Sequence, residues 1–453
     1  MIRRADRRRS PLFAMLGIGC AFVGAFTGYA ANAQTVAITG GTVALGDGSA
    51  PIPNGTVVIQ NGRVRAAGAG VAVPAGAERI DATGKWVSPG IVAGFSRLGL
   101  VEVDAVDETN DVAARTSPFS AALDVVPALN PRVSAIAISR NRGVTRAVVS
   151  PGIGAAIFAG QGAVIDMGDD MNAVTRPRAF QFVELGEAGA RRAGGSRAAS
   201  HLYIRTALKA AQSFQRDPGG YDADSRDAVL PRTDAEALVP VVTGRQPLVI
   251  HAERGADILQ ALALKTEFPQ LKLVLVGATE GWTVARQIAA AGVPVIASAL
   301  VDLPAAFETL SATQSNIGRM KAAGVQVSIG MINDNDTRQA RQSAQYAGNL
   351  VALTKVPGAT GLQWGEALAA ITSGPAEAMG LGDEIGSLRP GRRGDVVIWS
   401  GDPLELSSAP ERVWIDGVAQ PLETRQTRLR DRYATPTETA LPKAYDRSPS
   451  TTR

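Results

Sequence analysis

Between Pro89 and about residue 383, short runs of buried-type residues alternate with amphipathic stretches, and this alternation constrains the fold more than any other feature of the chain. The runs are Ile91–Ala93, Val144–Ser150, Leu248–His251, Leu271–Val276, Val293–Ala297 and Val325–Ile329. Between them lie helical patterns such as Asp234–Val239, Gly255–Leu264, Trp282–Ala291 and Ala305–Ala323. Continuous apolar strands separated by helices predict a parallel sheet covered by helices. A span of about 295 residues suits a (β/α)8 TIM-type barrel, with an open doubly wound sheet as the alternative. Neither a Walker A loop nor a strand–GxGxxG–helix unit occurs, which weakens the nucleotide-binding forms of that alternative.

The flanks read differently. Residues 34–88 alternate as short strands with tight turns, including Asn61-Gly62 between Thr56–Gln60 and Arg63–Ala67. Residues 384–420 return to strands, and together the two segments are expected to form one composite β-sandwich domain beside an 89–383 barrel. Residues 421–453 form a polar tail rich in Arg, Thr and Pro, with one candidate helix at Leu422–Tyr433.

The chain carries 46 Lys+Arg against 42 Asp+Glu. The surplus belongs to its start, where Arg3, Arg4, Arg7, Arg8 and Arg9 face only Asp6, and the remainder is balanced. Nucleic acid is therefore not an expected partner. The same arginines precede the apolar run Leu12–Phe26, and Ala31-Asn-Ala33 offers small residues for cleavage. Residues 1–33 thus read as a signal peptide, implying a periplasmic or secreted protein with no stable membrane anchor after cleavage. Its one cysteine, Cys20, lies in that signal, so the mature chain has no disulfide or thiol chemistry. Only His201 and His251 are available for imidazole chemistry.

Three motifs bracket nearly the whole mature chain: Gly84-Lys-Trp-Val-Ser-Pro-Gly-Ile-Val92, Gly143-Val-Thr-Arg-Ala-Val-Val-Ser-Pro-Gly152 and Ile385-Gly-Ser-Leu-Arg-Pro-Gly-Arg-Arg-Gly-Asp-Val-Val-Ile398. With the order β-domain, barrel, β-return, they resemble the amidohydrolase superfamily, especially its imidazolonepropionase-like branch. The resemblance implies hydrolysis of C–N bonds in amides or peptides by zinc or another divalent metal at the C-terminal mouth of the barrel. Its ligands would be His-x-His after strand one, at times Lys or Glu after strand four, His after strands five and six, and Asp after strand eight.

The sequence departs from that pattern. Phe95-Ser-Arg97 stands at the His-x-His position, and Gly277 stands where the strand-six His belongs. His251 fills the strand-five position, while the strand-eight aspartate falls on Ile332 or Asn333 with Asp334 beside it. No strand-four ligand is evident. One conventional ligand cannot hold a catalytic zinc, which needs about three protein ligands, so no metal and no cofactor are assigned. His251 and Asp334 become the catalytic candidates, and Arg97, Glu253 and Glu280 the substrate-binding ones. Arg97 is expected either to replace the metal's charge by pairing with Asp334 or Glu253, or to point to solvent.

Other features have plainer readings. Glu102, Asp104, Asp107, Glu108 and Asp111 form a solvated acidic loop without EF-hand spacing. Ala155–Ile165 reads as a glycine-bearing loop and hairpin near the mouth, and His201 and Trp282 as packing residues. Arg191–Arg197 is a basic stretch that could take an anion. The function expected is an exported amidohydrolase-family protein with a degenerate metal site. It would be a non-catalytic homologue binding a small amide or peptide, or a partner subunit of a related amidohydrolase in a homo- or hetero-oligomer. An active, metal-independent hydrolase using His251 is the alternative.

Overall fold

A computed structural model describes residues 35–103, 105–225, 228–332 and 337–434, the side chains of 337–339 excepted. Residues 1–33, Asp104 and Asp334 lie outside the described residues.

The first sheet is built from both ends of the chain. Strands β1 (Val36–Val43), β2 (Ile52–Gln60), β3 (Arg63–Gly68), β4 (Glu78–Asp81) and β5 (Trp86–Pro89) come from the N-terminal flank. The turn between β2 and β3 sets Asn61 at φ 55° and Gly62 at φ 72°. Only residues tolerant of positive φ make such a hairpin cheaply.

The second sheet contains β6 (Ile91–Ser96), β7 (Val144–Val149), β8 (Phe158–Asp166), β9 (Val174–Glu184), β10 (Leu248–Ala252), β11 (Leu273–Gly277), β12 (Val295–Ala297) and β13 (Val327–Ile329). They neighbour one another in sequence order. The ring is nearly closed: Met331 N donates to Phe95 O at 3.2 Å, and Ile371 O accepts from Val92 N at 2.9 Å. The barrel expected from the alternation is therefore present, with one departure. Strand β8 runs antiparallel to both β7 and β9. Ala155–Ile165, read from the sequence as a loop and hairpin, instead contributes most of a fully buried barrel strand. Its glycines serve packing, since a Cβ on Gly162 would sit 2.1 Å from the Phe180 ring.

Strands β14 (Val396–Trp399), β15 (Pro410–Ile415) and β16 (Val418–Gln420) complete the first sheet, β14 pairing antiparallel with β5. The tail helix spans Arg425–Ala434, and Pro421 O and Leu422 O anchor the segment before it to Arg140 and Asn141.

Strand alternation sorts the barrel residues into two cores. Val249, Val274, Val276, Phe180, Phe182 and Ile296 fill the interior, whereas Leu248, Ile250, Leu273 and Leu275 face the surrounding helices. The period-two rule then turns His251, two residues after Val249, inward at the C-terminal end of β10. Glu184, two after Phe182, does the same at the end of β9.

Candidate functional site

The mouth of the barrel is organised around His251. Its Nδ1–H donates to the Glu184 carboxylate, with oxygens at 2.7 and 2.8 Å, and its Nε2–H donates to Glu253 Oε1 at 3.0 Å. Glu184 and His251 are register partners on adjacent strands. Glu253 reaches back from the loop after β10, where Thr279 N donates to its other oxygen at 2.8 Å. Gly186 N donates to Glu184 Oε1 at 2.9 Å, fixing that carboxylate too. Both acids are buried.

Both ring nitrogens are donors here, which requires an imidazolium. Burial alone would lower the His251 pKa, but the two carboxylates raise it well above the usual histidine value. Burial would raise Glu253, yet its bonds to His251 and Thr279 bring it below the ordinary range. The three side chains form a closed ionic triad.

Arg97 lies beside it. Its guanidinium packs over the Phe95 ring at 5.0 Å and the Phe182 ring at 5.8 Å, and donates to the carbonyls of Ser150 and Pro151. Burial brings its pKa down to about 10, against the supporting charge of Glu184, so it remains a cation at neutral pH. The pairing with Glu253 expected from the sequence does not form. Among the described residues Arg97 meets carbonyl oxygens and aromatic faces, and Glu184 is the acid whose charge it feels.

Glu280 is drawn into the framework. Its Oε2 accepts from Gly255 N at 3.0 Å and its Oε1 from Ser311 N at 3.0 Å. It thereby caps the helix Gly255–Glu267, whose N-cap residue Arg254 supplies no side-chain cap. Nearby, Glu308 accepts from Glu187 N at 2.6 Å and lies 3.4 Å from Arg197, and burial raises its pKa. Arg197 itself pairs with Asp257 at 2.7 Å, so that member of the basic stretch is already engaged. His201 is buried on the helix Arg197–Arg216 and neither ring nitrogen has a partner, the setting of a packed neutral histidine. Burial, then Arg205, lowers its pKa. Trp282 donates to Ser311 O at 2.8 Å and carries the Arg319 guanidinium over its ring at 4.5 Å. In the acidic loop, Glu102 accepts from Asn130.

Glu184 is the site residue the sequence did not reveal. Its signal was the alternation Phe180-Gln-Phe-Val-Glu184, apolar side chains inward and an acid at the strand end. It occupies the strand-four position where the resemblance allows a ligand.

Among the described residues the donors do not assemble into a divalent-metal site. Both nitrogens of His251 lie within hydrogen-bond distance of carboxylates. Gly277, at the strand-six position, has φ 92°, and a Cβ there would lie 2.7 Å from Glu253 Oε1 and 2.9 Å from His251 Cδ2. The His251–Glu253 pair occupies the space that a strand-six histidine would need. Among the described residues no group of three or more His, Cys, Asp or Glu is placed to hold a metal ion.

Comparison with known proteins agrees with the architecture. A family model described as the amidohydrolase family matches residues 282–419. Amidohydrolase tasK of Hapsidospora irregularis is 26% identical over 394 residues, 77% of this chain and 38% of that protein. Imidazolonepropionase of Maricaulis maris (strain MCS10) is 30% identical over 162 residues, 35% of this chain and 37% of that protein. The match thus spans under two-fifths of either relative's length. The crystal structure of an amidohydrolase from Thermotoga maritima MSB8 superposes with a TM-score of 0.73 at 26% identity, covering 85% of this chain and 99% of that one. A ring of eight strands, a sheet shared by both flanks and a histidine at the mouth of strand five, together with these relatives, lead to one assignment: the chain belongs to the amidohydrolase superfamily.

Proposed function

We propose that this chain is an exported member of the superfamily that binds a small amide or peptide at the barrel mouth without hydrolysing it, alone or as the non-catalytic partner of a metal-bearing relative. The observation that carries the reading is the His251 triad. A general base must hold a free lone pair near neutral pH, and His251 holds a proton on each nitrogen, both shared with carboxylates. Two cations, His251 and Arg97, stand beside two anions, Glu184 and Glu253, at the described mouth. Export rests on the basic and apolar pattern of residues 1–33.

The test uses the purified mature protein. After incubation with Zn²⁺ or Mn²⁺ and dialysis, it is expected to retain no stoichiometric metal. It should also hydrolyse a panel of N-acyl amides, cyclic imides and dipeptides no faster than its His251→Ala variant. Stoichiometric retained metal, or turnover that His251→Ala abolishes, would overturn the reading.

A further inference from the structure

Away from the mouth, three segments converge on a groove of about 420 Å³ where the barrel meets the first sheet. The turn after the helix Ser134–Arg140 contributes Arg142. The 3-10 turn before the helix Ser343–Ala352 contributes Arg341, and the first turn of that helix contributes Gln345. The connection between β14 and β15 contributes Glu405 and Leu406, with the buried Trp399 behind them. The volume lies in the range of small-molecule sites.

The groove's charges are unmatched. Some arginines elsewhere on the surface close onto nearby acids, as Arg176 does on Glu384, Arg178 on Asp124 and Arg205 on Glu267. Arg142 and Arg341 share a cavity with Glu405, yet among the described residues neither pairs with it or with any other acid. The Gln345 amide likewise has no hydrogen-bond partner among them. Two cations that do not fold onto an acid in their own cavity leave the space between them open.

The backbones that carry them are fixed. Arg142 N donates to Ser139 O at 3.0 Å, and the next residue, Gly143, has φ 83° and lies flat against Trp399. A Cβ on Gly143 would be 2.6 Å from the indole Cη2, so only glycine lets this turn close over the ring. The indole is pinned in turn by its bond to Ser88 Oγ at 2.9 Å. Leu406 is 74% exposed on the opposite wall, an apolar surface with no cover.

We propose that this groove is a binding site for a monocarboxylate with an apolar body, separate from the barrel mouth. The charge balance selects the class. Two arginines and one glutamate leave one net positive charge, which a monoanion neutralises and a dianion such as phosphate overshoots. Guanidinium groups grip a carboxylate through paired N–H donors, Gln345 adds a neutral donor, and the exposed Leu406 lines the space for the apolar part.

Calorimetric titration with 3-phenylpropionate, its neutral amide and inorganic phosphate tests the proposal. The carboxylate is expected to bind with one-to-one stoichiometry, and the amide and phosphate at least about tenfold more weakly. The double variant Arg142→Ala, Arg341→Ala should lose at least about tenfold in affinity with an unchanged melting temperature, because both side chains are exposed. Leu406→Glu, which adds a negative charge to the wall, should abolish binding. Arg97→Gln should leave the affinity unchanged. No binding by the parent, equal binding of amide or phosphate, or undiminished binding by the double variant would each overturn the site. So would loss of binding in Arg97→Gln, which would place the carboxylate at the mouth.

Discussion

At the scale of single residues, the site is a matter of which atoms already have partners. His251 was recognisable in the sequence because it ends a buried strand, and nothing in Pro247–Glu253 says that both of its nitrogens are taken. Glu184 takes one of them. Glu184→Gln should therefore lower the His251 pKa, read as the imidazole titration by NMR with His201 as the only other histidine. A folded pKa above the unfolded value of about 6.5 stabilises the protein fully below that value and loses its contribution as pH rises through the folded pKa. The parent should accordingly lose stability on the alkaline side, where the variant should be flatter. At neutral pH the variant, left with a weakened partner for a buried cation, should be about 3 kcal/mol less stable by urea denaturation. Gly277→Ala should cost about 2 kcal/mol or more in the same assay, because it combines a positive φ with a collision against Glu253 and His251.

At the scale of elements, Glu280 shows how a residue assigned to the substrate can belong to the scaffold. From the sequence it was an acid shortly after a barrel strand, assigned to the substrate. In the fold its two oxygens tie the start of the helix Gly255–Glu267 to the backbone at Ser311, across a loop no local pattern predicts. Glu280→Ala should cost about 1–2 kcal/mol, in the range of a lost helix cap. Amide exchange at Gly255 and Ser311 should rise in the variant, and unchanged protection at both would contradict the role. Strand β8 makes the same point about elements. Gly160 and Gly162 made Phe158–Asp166 look like loop, because local propensity penalises glycine in strands. The interior of the barrel demanded it there, since Phe180 occupies the space of the missing side chain.

At the scale of the whole molecule, one buried cation ties the barrel to the first sheet, among other contacts. Arg146, on β7, is 1% exposed and grips Asp395 through Nε at 2.7 Å and Nη2 at 2.9 Å, with Asp416 at 2.8 Å. Removing one partner of a buried pair typically costs about 3–5 kcal/mol, so Asp395→Ala should lower stability by that order. Asp166 differs: burial raises its pKa, and it stands 3.7 Å from Arg146 Nη1. Asp166→Asn should therefore cost far less than Asp395→Ala at neutral pH, and the reverse order in urea denaturation would refute this division of labour. By itself, the sequence determined the alternating strands and helices, the return to β-structure near residue 384, and the absence of the family's histidines at positions 95, 97 and 277, because these are properties of local pattern and residue type. Only the tertiary structure decided that Glu184 and Glu253 clasp His251, that Glu280 serves the backbone, and that two arginines far apart in the chain share an open groove. Those facts depend on which strand ends lie side by side, and a distance across a barrel has no signature in the spacing of residues along a chain.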